Sequence, residues 1–158
     1  MPNIHDMLSL SVSHRAKGGG KVTRLRKYNI DRESIIRASL LNDMRDIGLP
    51  VDEVDFSFEP FSKTYYGRYF PSASDDHRPR VRIYPYYSDT GVMYGYDTIL
   101  YHSIHEMCHH LESTMPFWKR CKGIMHDPLF WKLLNRYTKK AEDRGYLRKE
   151  LVDGLSFK

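Results

Sequence analysis

The chain has 158 residues, of which 41% are hydrophobic and 28% are charged, and its formal net charge is +5. These values fit one globular domain that buries a core without disulfides, and the positive charge favours acidic partners, nucleic acid among them. The two cysteines, Cys108 and Cys121, form no C-x-x-C pair, which excludes a disulfide framework and a four-cysteine zinc ribbon. The sequence shows no signal peptide and no apolar stretch near the ~20 residues of a membrane span, so we expect no membrane partner and a cytoplasmic, nucleoid-associated or nuclear protein that is not secreted.

Residues 1–29 are predicted to form a flexible basic leader, and residues 30–158 a single folded domain. Three consecutive glycines, at 18–20, interrupt the leader. Its basic residues around these glycines are Arg15, Lys17, Lys21, Arg24, Arg26 and Lys27. Such a run can contact the phosphates of DNA, although a solvated basic tail is an equally good interpretation.

The first predicted helix covers about residues 31–47. Asp31 can cap its start, and Gly48 with Pro50 stop it. Apolar residues recur along it at helical spacing: Ile36, Leu40, Met44 and Ile47.

Residues 51–96 are predicted to form a small antiparallel or mixed sheet of three or four strands. Polar and apolar residues alternate in segments 54–58 and 81–84, and an aromatic segment, 65–70, is interrupted by Gly67. Tyrosines are concentrated here, with nine of the 12 between residues 65 and 101. Strand-forming side chains with polar tips are the simplest explanation of this bias.

Two further helices follow the sheet. One covers about residues 97–113, with an apolar stripe of Leu100, Ile104, Met107, Cys108 and Leu111. The other begins where Asp127 can act as N-cap before Pro128, and Gly145 suits its end. Its stripe consists of Phe130, Leu134, Tyr137 and Ala141. The tail after Gly145 is expected to add a short helical piece.

The second of the three predicted helices carries the motif H-E-x-x-H, formed by His105, Glu106 and His109. Residues four apart lie on one helix face, so both imidazoles can bind one metal ion at ~2.0–2.1 Å. Glu106 lies beside that face, where it can contact water rather than the metal. The pattern therefore predicts a zinc site with Glu106 as the catalytic base.

A catalytic zinc site normally has three protein ligands and one open position. The long metzincin pattern is excluded because Glu112 and Met115 occupy the positions of its glycine and third histidine. A thermolysin-type site would use Glu142, but Tyr146 stands where that pattern has a supporting aspartate. The remaining candidate is His126, which follows His109 after 16 residues.

Segments 104–109 and 123–131 together resemble the SprT-like metallopeptidases, which include the Spartan-type proteases that cleave proteins crosslinked to DNA. The resemblance covers about residues 31–146 and is weaker in segments 66–69 and 81–84. It implies an α+β, zincin-like fold, one Zn²⁺ per chain held by His105, His109 and His126, and hydrolysis of peptide bonds in protein substrates, including DNA-associated proteins.

The sequence departs from this family in one respect. Many members have a zinc ribbon after the protease core, whereas no cysteine follows Cys121 here. Contact with DNA is therefore expected through the leader. We place the zinc cleft between the second and third helices, and we expect an exposed sheet edge that binds substrate, formed by Val81, Arg82, Ile83 and Tyr84.

Two other functions remain open at this point. One is a zinc-stabilised module that binds nucleic acid without turnover, and the other is an ImmA-like peptidase that cleaves a regulator and uses Glu142 as a ligand. Cys121 could also replace His126. Among nearby residues, Glu112 could accept a hydrogen bond from a ligand imidazole or be solvated. His102 is expected to be a surface or hydrogen-bonded histidine, and His110 an exposed one.

Overall fold

The structure is a computed structural model that describes residues 30–60, 62–115 and 126–150. Within these ranges, three α-helices and three strands follow one another as α1 (Ile30–Asp46), β1 (Asp55–Phe58), β2 (Gly67–Phe70), β3 (Arg80–Ile83), α2 (Tyr96–Thr114) and α3 (Pro128–Asp143), with a short 3-10 helix (Val51–Glu53) before β1. The α+β class is confirmed. The leader and residues 151–158 of the expected helical tail lie outside the described residues. No helix in the described ranges is long and apolar enough to cross a membrane.

The strands form one mixed sheet in the order β1–β3–β2. β1 runs parallel to β3, and β2 runs antiparallel to it. Val81 marks the centre of the register, since it lies opposite Phe56 on one side and Tyr69 on the other. The predicted small mixed sheet is therefore confirmed.

The expectation that segment 81–84 forms an exposed edge is wrong. β3 is the middle strand and pairs with a neighbour on both sides. Beyond its last residue, the Tyr84 N–H still donates to the Tyr66 carbonyl at 2.9 Å. The backbone groups of this segment are occupied by the sheet, and Val81 and Ile83 are buried.

The core lies between one face of the sheet and the three helices. Val81 and Ile83 of β3 pack in the same cluster as Ile104 and Met107 of α2. All apolar residues predicted for the first helix are buried, which confirms its periodicity: Ile36, Leu40, Met44 and Ile47. α2 contacts the sheet, α1 and α3. It is the central element of the described fold, and the H-E-x-x-H motif lies on it.

The helix ends agree with the predicted pattern at α3 more closely than at α1. α1 begins at Ile30, so Asp31 lies inside its first turn instead of capping it. At α3, the Asp127 carboxylate accepts a hydrogen bond of 2.9 Å from the Phe130 N–H, as predicted for an N-cap. Gly145 has a φ of +77°, a left-handed conformation that favours glycine after a helix.

Two buried tyrosines connect α1 to the rest of the fold. The Tyr86 hydroxyl donates to Glu33 at 2.5 Å, and the Tyr96 hydroxyl donates to Asp43 at 2.5 Å. Their rings lie among apolar residues while their hydroxyls reach carboxylates of α1. Part of the tyrosine-rich middle segment therefore fixes the first helix.

Candidate metal centre

His105, His109 and His126 meet in one cluster. One nitrogen from each lies within 4.8 Å of the others, and the Nε2 atoms of His105 and His126 are 3.1 Å apart. Two nitrogens bound to the same tetrahedral zinc would be about 3.3 Å apart. The structure thus places together the three predicted ligands, two from α2 and one from the residue just before the N-cap of α3.

Phe130 supports all three imidazoles. Its ring centroid lies 4.8 Å from that of His105 and 4.5 Å from those of His109 and His126. Because the Phe130 N–H is the group capped by Asp127, the same turn fixes both this ring and His126. Asp127 is itself buried, so the start of α3 is held firmly against α2.

The donor set suits a zinc ion. Burial, reinforced by the neighbouring His109 and His126, lowers the pKa of His105 to about 3, so its imidazole is neutral and keeps a lone pair for a metal. The three side chains are only half-buried, which leaves the cluster accessible from solvent. Three histidine nitrogens within reach of one ion, with no fourth protein ligand in the group among the described residues, match the ligand set of a catalytic zinc site.

Glu106 lies between α2 and the sheet. It is 8% exposed, and burial raises the pKa of its carboxyl to about 7, against the opposing effect of a hydrogen bond from the backbone of Tyr69. A carboxyl that titrates near neutral pH can both accept and return a proton. This property is the one required of a general base that later acts as an acid.

Gly67 makes room for Glu106. A Cβ at this position would lie 2.8 Å from Glu106 Cγ and 2.9 Å from Ile83 Cδ1, closer than such atoms approach in real structures. Only glycine therefore allows β2 to pass this close to α2. From the sequence, Gly67 was interpreted only as an interruption of a strand; no local pattern indicates the helix behind it.

The outer edge of β2 lies next to Glu106. The Tyr84–Tyr66 hydrogen bond fixes the alternation of the antiparallel ladder, so Gly67 and Tyr69 point their backbone groups away from β3. The Tyr69 N–H meets the Glu106 carboxyl there. In the described part of the chain, no strand pairs with this edge.

Two other polar residues of α2 lie near the ligands. The His102 ring stacks on Tyr66 at 4.4 Å, and burial lowers the pKa of this histidine to about 4. Its Nε2 has no hydrogen-bond partner among the described residues. Glu112 is buried, with its carboxylate 3.9 Å from His109 Nδ1, which is too long for a hydrogen bond between these two atoms.

The expectation that His110 is exposed is wrong, since only 1% of it is accessible to solvent. Its Nε2 lies 2.9 Å from Glu53 Oε2, and its Nδ1 lies 3.3 Å from the Tyr69 hydroxyl. The Tyr69 hydroxyl also contacts Ser113 Oγ at 2.8 Å. This side of α2 faces β2 and the turn before β1, which together bury the His110 ring.

Of the alternative ligands, Glu142 does not join the cluster. Glu142 lies near the C-terminal end of α3, about 20 Å along the helix axis from its start at a rise of about 1.5 Å per residue. Cys121 and the six basic residues of the leader lie outside the described residues. Cys108 is buried in the core, as expected.

No protein-family model, curated protein or solved structure matches the chain. The likeness to SprT-like metallopeptidases remains a prediction from the motif residues. The interpretation of the cluster depends on its own side chains and geometry.

Proposed function

We propose that this protein is a zinc-dependent endopeptidase. The observation that carries the proposal is the convergence of three histidines, two from α2 and one from just before α3, with a buried glutamate next to the first of them on α2. A purely structural zinc site would have a fourth protein ligand, and it would not require a neighbouring base. The described residues supply three ligands and a base, the combination that hydrolysis requires.

His105, His109 and His126 would hold the ion, which supplies Lewis acidity when bound. Glu106 accepts a proton from the attacking water and delivers it to the leaving amine, for which its raised pKa is suited. The Tyr69 N–H holds the carboxyl in place by donating to it. Gly67 keeps the space that this carboxyl occupies.

The substrate would bind as an extended chain along the outer edge of β2. The β2 edge takes the role that the sequence predicted for segment 81–84, because the backbone groups of that segment are already paired within the sheet. Gly67 presents its N–H and C=O there and Tyr69 its C=O, since the Tyr69 N–H donates to Glu106, and binding through the main chain gives broad sequence preference. That the substrates include DNA-associated proteins follows from the resemblance alone.

The test is the substitution Glu106→Gln, which removes the base and keeps the side-chain shape. We expect one zinc per chain to persist while cleavage of a denatured protein substrate falls by at least about 100-fold, the usual contribution of a general base. Glu142→Gln is the matched control, because it makes the same change at the far end of α3. It should retain both zinc and activity.

Wild-type cleavage rates in Glu106→Gln would refute the assigned role of this carboxyl. A wild-type protein that holds zinc but cleaves no denatured protein, with or without nucleic acid, would favour the zinc-stabilised binding module instead. Both results are separable from misfolding by measuring the zinc content and the thermal midpoint of each variant.

A further inference from the structure

The face of the sheet that points away from α2 carries a group of arginines around one aromatic ring. Successive residues of a strand point to opposite faces, so Gly67 and Tyr69 face α2 while Arg68 and Phe70 face outward. The guanidinium carbons lie 5.0 Å (Arg68), 5.2 Å (Arg80) and 5.1 Å (Arg82) from the Phe70 ring centroid. We call this surface the outer face; Arg68 also lies 5.3 Å from the ring of Tyr65, at its margin.

The positive charges on the outer face are only partly compensated, since Asp55, the register partner of Arg80, forms its ion pair with Arg78 at 3.3 Å. Arg68 lies directly opposite Arg82 in the register of β2 and β3, an arrangement of like charges that destabilises a sheet. Among the described residues, no carboxylate forms an ion pair with Arg68 or Arg80. Glu59 lies 3.8 Å from Arg82, a long contact. The folded protein therefore keeps positive charges in close proximity, and a bound anion would relieve their repulsion.

The aromatic rings beside the arginines indicate which kind of anion the outer face would bind. A guanidinium group is planar, binds phosphate through two parallel hydrogen bonds and stacks on nucleobases. Tyr65 is 47% exposed and Phe70 is half-buried, so both rings are accessible for stacking. An open sheet face with aromatic rings and arginines suits unpaired bases, because the bases of a duplex are stacked on each other and cannot reach the rings.

We propose that the outer face, with Arg68, Arg80 and Arg82 around Phe70 and with Tyr65 at its margin, binds single-stranded nucleic acid. The arginines contact phosphates and the rings stack on bases. Contacts of this kind carry little sequence information, so we expect binding to be tolerant of base sequence. The site differs in composition from the leader. No Phe, Tyr or Trp lies between Arg15 and Lys27, and Tyr28 follows directly after them.

This site is physically separate from the candidate metal centre. The same strand, β2, presents Arg68 and Phe70 to one side and Gly67 and Tyr69 to α2 on the other. Nucleic acid on the outer face would therefore leave Glu106 and the histidines accessible. Substitutions on the outer face should change nucleic-acid binding without changing zinc content or the rate of peptide cleavage without nucleic acid.

The experiment measures fluorescence anisotropy of a labelled oligothymidine of about 12 nucleotides, a length within the range that single-strand sites cover. The full chain is titrated at several salt concentrations. Arg80→Gln should weaken binding by about 3- to 10-fold at low salt and reduce the log–log salt slope by about 0.7, the value for one lost phosphate contact on a single strand. Arg136→Gln is the matched control, since it removes the same charge from an exposed position on α3.

Two further variants distinguish direct effects on binding from loss of the fold. One tests the stacking contact, and the other is expected to increase the affinity. Tyr65→Ala should weaken binding by about 5-fold or more with the charge unchanged, as expected for one lost stacking contact. Glu59→Gln should strengthen binding, because it removes the carboxylate next to Arg82. A thermal midpoint equal to that of the wild type would show that the gain comes from the change of charge and not from unfolding.

Equal affinities of Arg80→Gln and Arg136→Gln would overturn the proposal and leave nucleic-acid binding, if any, to the leader. If Tyr65→Ala binds like the wild type and a glutamate-rich peptide competes for the site with the same dependence on Arg80, the site recognises acidic protein segments and the proposal is wrong. Preference for a duplex of the same length over the single strand would also contradict it.

Discussion

His109 and His110 are neighbours in the sequence, but α2 places them in different regions of the molecule. His109 lies on the side that faces α3, half-buried, with its ring centroid 5.1 Å from those of both His105 and His126. His110 lies on the side that faces the sheet, fully buried and within hydrogen-bond distance of Glu53 and Tyr69. The comparison teaches that the chemistry of a helical histidine is determined by what its side of the helix meets, since the residue type and the helix are the same.

The same division applies to the rest of the candidate site. The three ligands depend on α3, which contributes His126 and the supporting ring of Phe130. Glu106 depends on β2, through the Tyr69 N–H and the space left by Gly67. Metal binding and the position of the base are therefore supported from opposite sides of α2, and substitutions on each side should have different effects.

The largest effect is expected from His126→Ala on the α3 side. Loss of a residue that only supports a ligand lowers metal affinity by up to about 100-fold. Removal of one of the three ligands themselves should therefore lower zinc affinity by more than this. Dialysis followed by metal analysis should then give well under one zinc per chain. His77→Ala, at an exposed loop position, is the control and should retain the metal. Unchanged zinc content in His126→Ala would eliminate this residue as a ligand and direct attention to Cys121.

On the sheet side, Gly67→Ala is expected to have an intermediate effect. The added Cβ would contact Glu106 and Ile83, so the free energy of unfolding should fall by about 1–3 kcal/mol, as for other overpacked sites. Peptide cleavage should fall as well, because Glu106 must move, while the zinc content remains unchanged. Chemical denaturation and metal analysis measure the two quantities.

Gly95→Ala is a matched control for this substitution. A Cβ at Gly95 would have no atom within 4 Å, and its φ is −59°, which alanine adopts without strain. We expect almost no change in stability or cleavage. If both alanine variants behaved alike, the close approach of β2 to α2 would have no role in positioning Glu106.

The smallest effect is expected from His110→Ala. The protein would lose the two contacts of this ring, to Glu53 and to the Tyr69 hydroxyl, and the free energy of unfolding should fall by about 1–2 kcal/mol. Tyr69 would keep its contact with Ser113, which limits the loss. Zinc content should be unaffected, and His110→Gln, which retains polar atoms, should recover part of the stability. Loss of zinc from His110→Ala would break the distinction between the two sides of α2.

Features that depend on local spacing were predictable from the sequence. The i, i+4 pair of His105 and His109 shares a helix face by geometry alone, and Asp127 followed by Pro128 is a local N-cap pattern that the structure confirms. The apolar periodicity of α1 also predicts which residues are buried. In each case the information lies within a few consecutive residues.

Features that depend on pairing between distant segments were not predictable. β3 alternates Arg80, Val81, Arg82 and Ile83, a pattern that an edge strand and a middle strand share. Only the register with β1 and β2 shows that it is the middle strand. The burial of His110 and the need for glycine at position 67 have the same cause, because both follow from the packing of β2 on α2.

The position of His126 outside α2, just before the N-cap of α3, has a consequence for folding. A metal ion held by all three would join α2 to the start of α3 across the 16 residues between His109 and His126, and only the folded chain brings these ligands together. Binding would then be linked to stability: free zinc at 100 times its dissociation constant would add about 2.7 kcal/mol to the free energy of unfolding. The melting temperature of this protein should therefore depend on the zinc concentration, and a chelator that removes the ion should lower it reversibly.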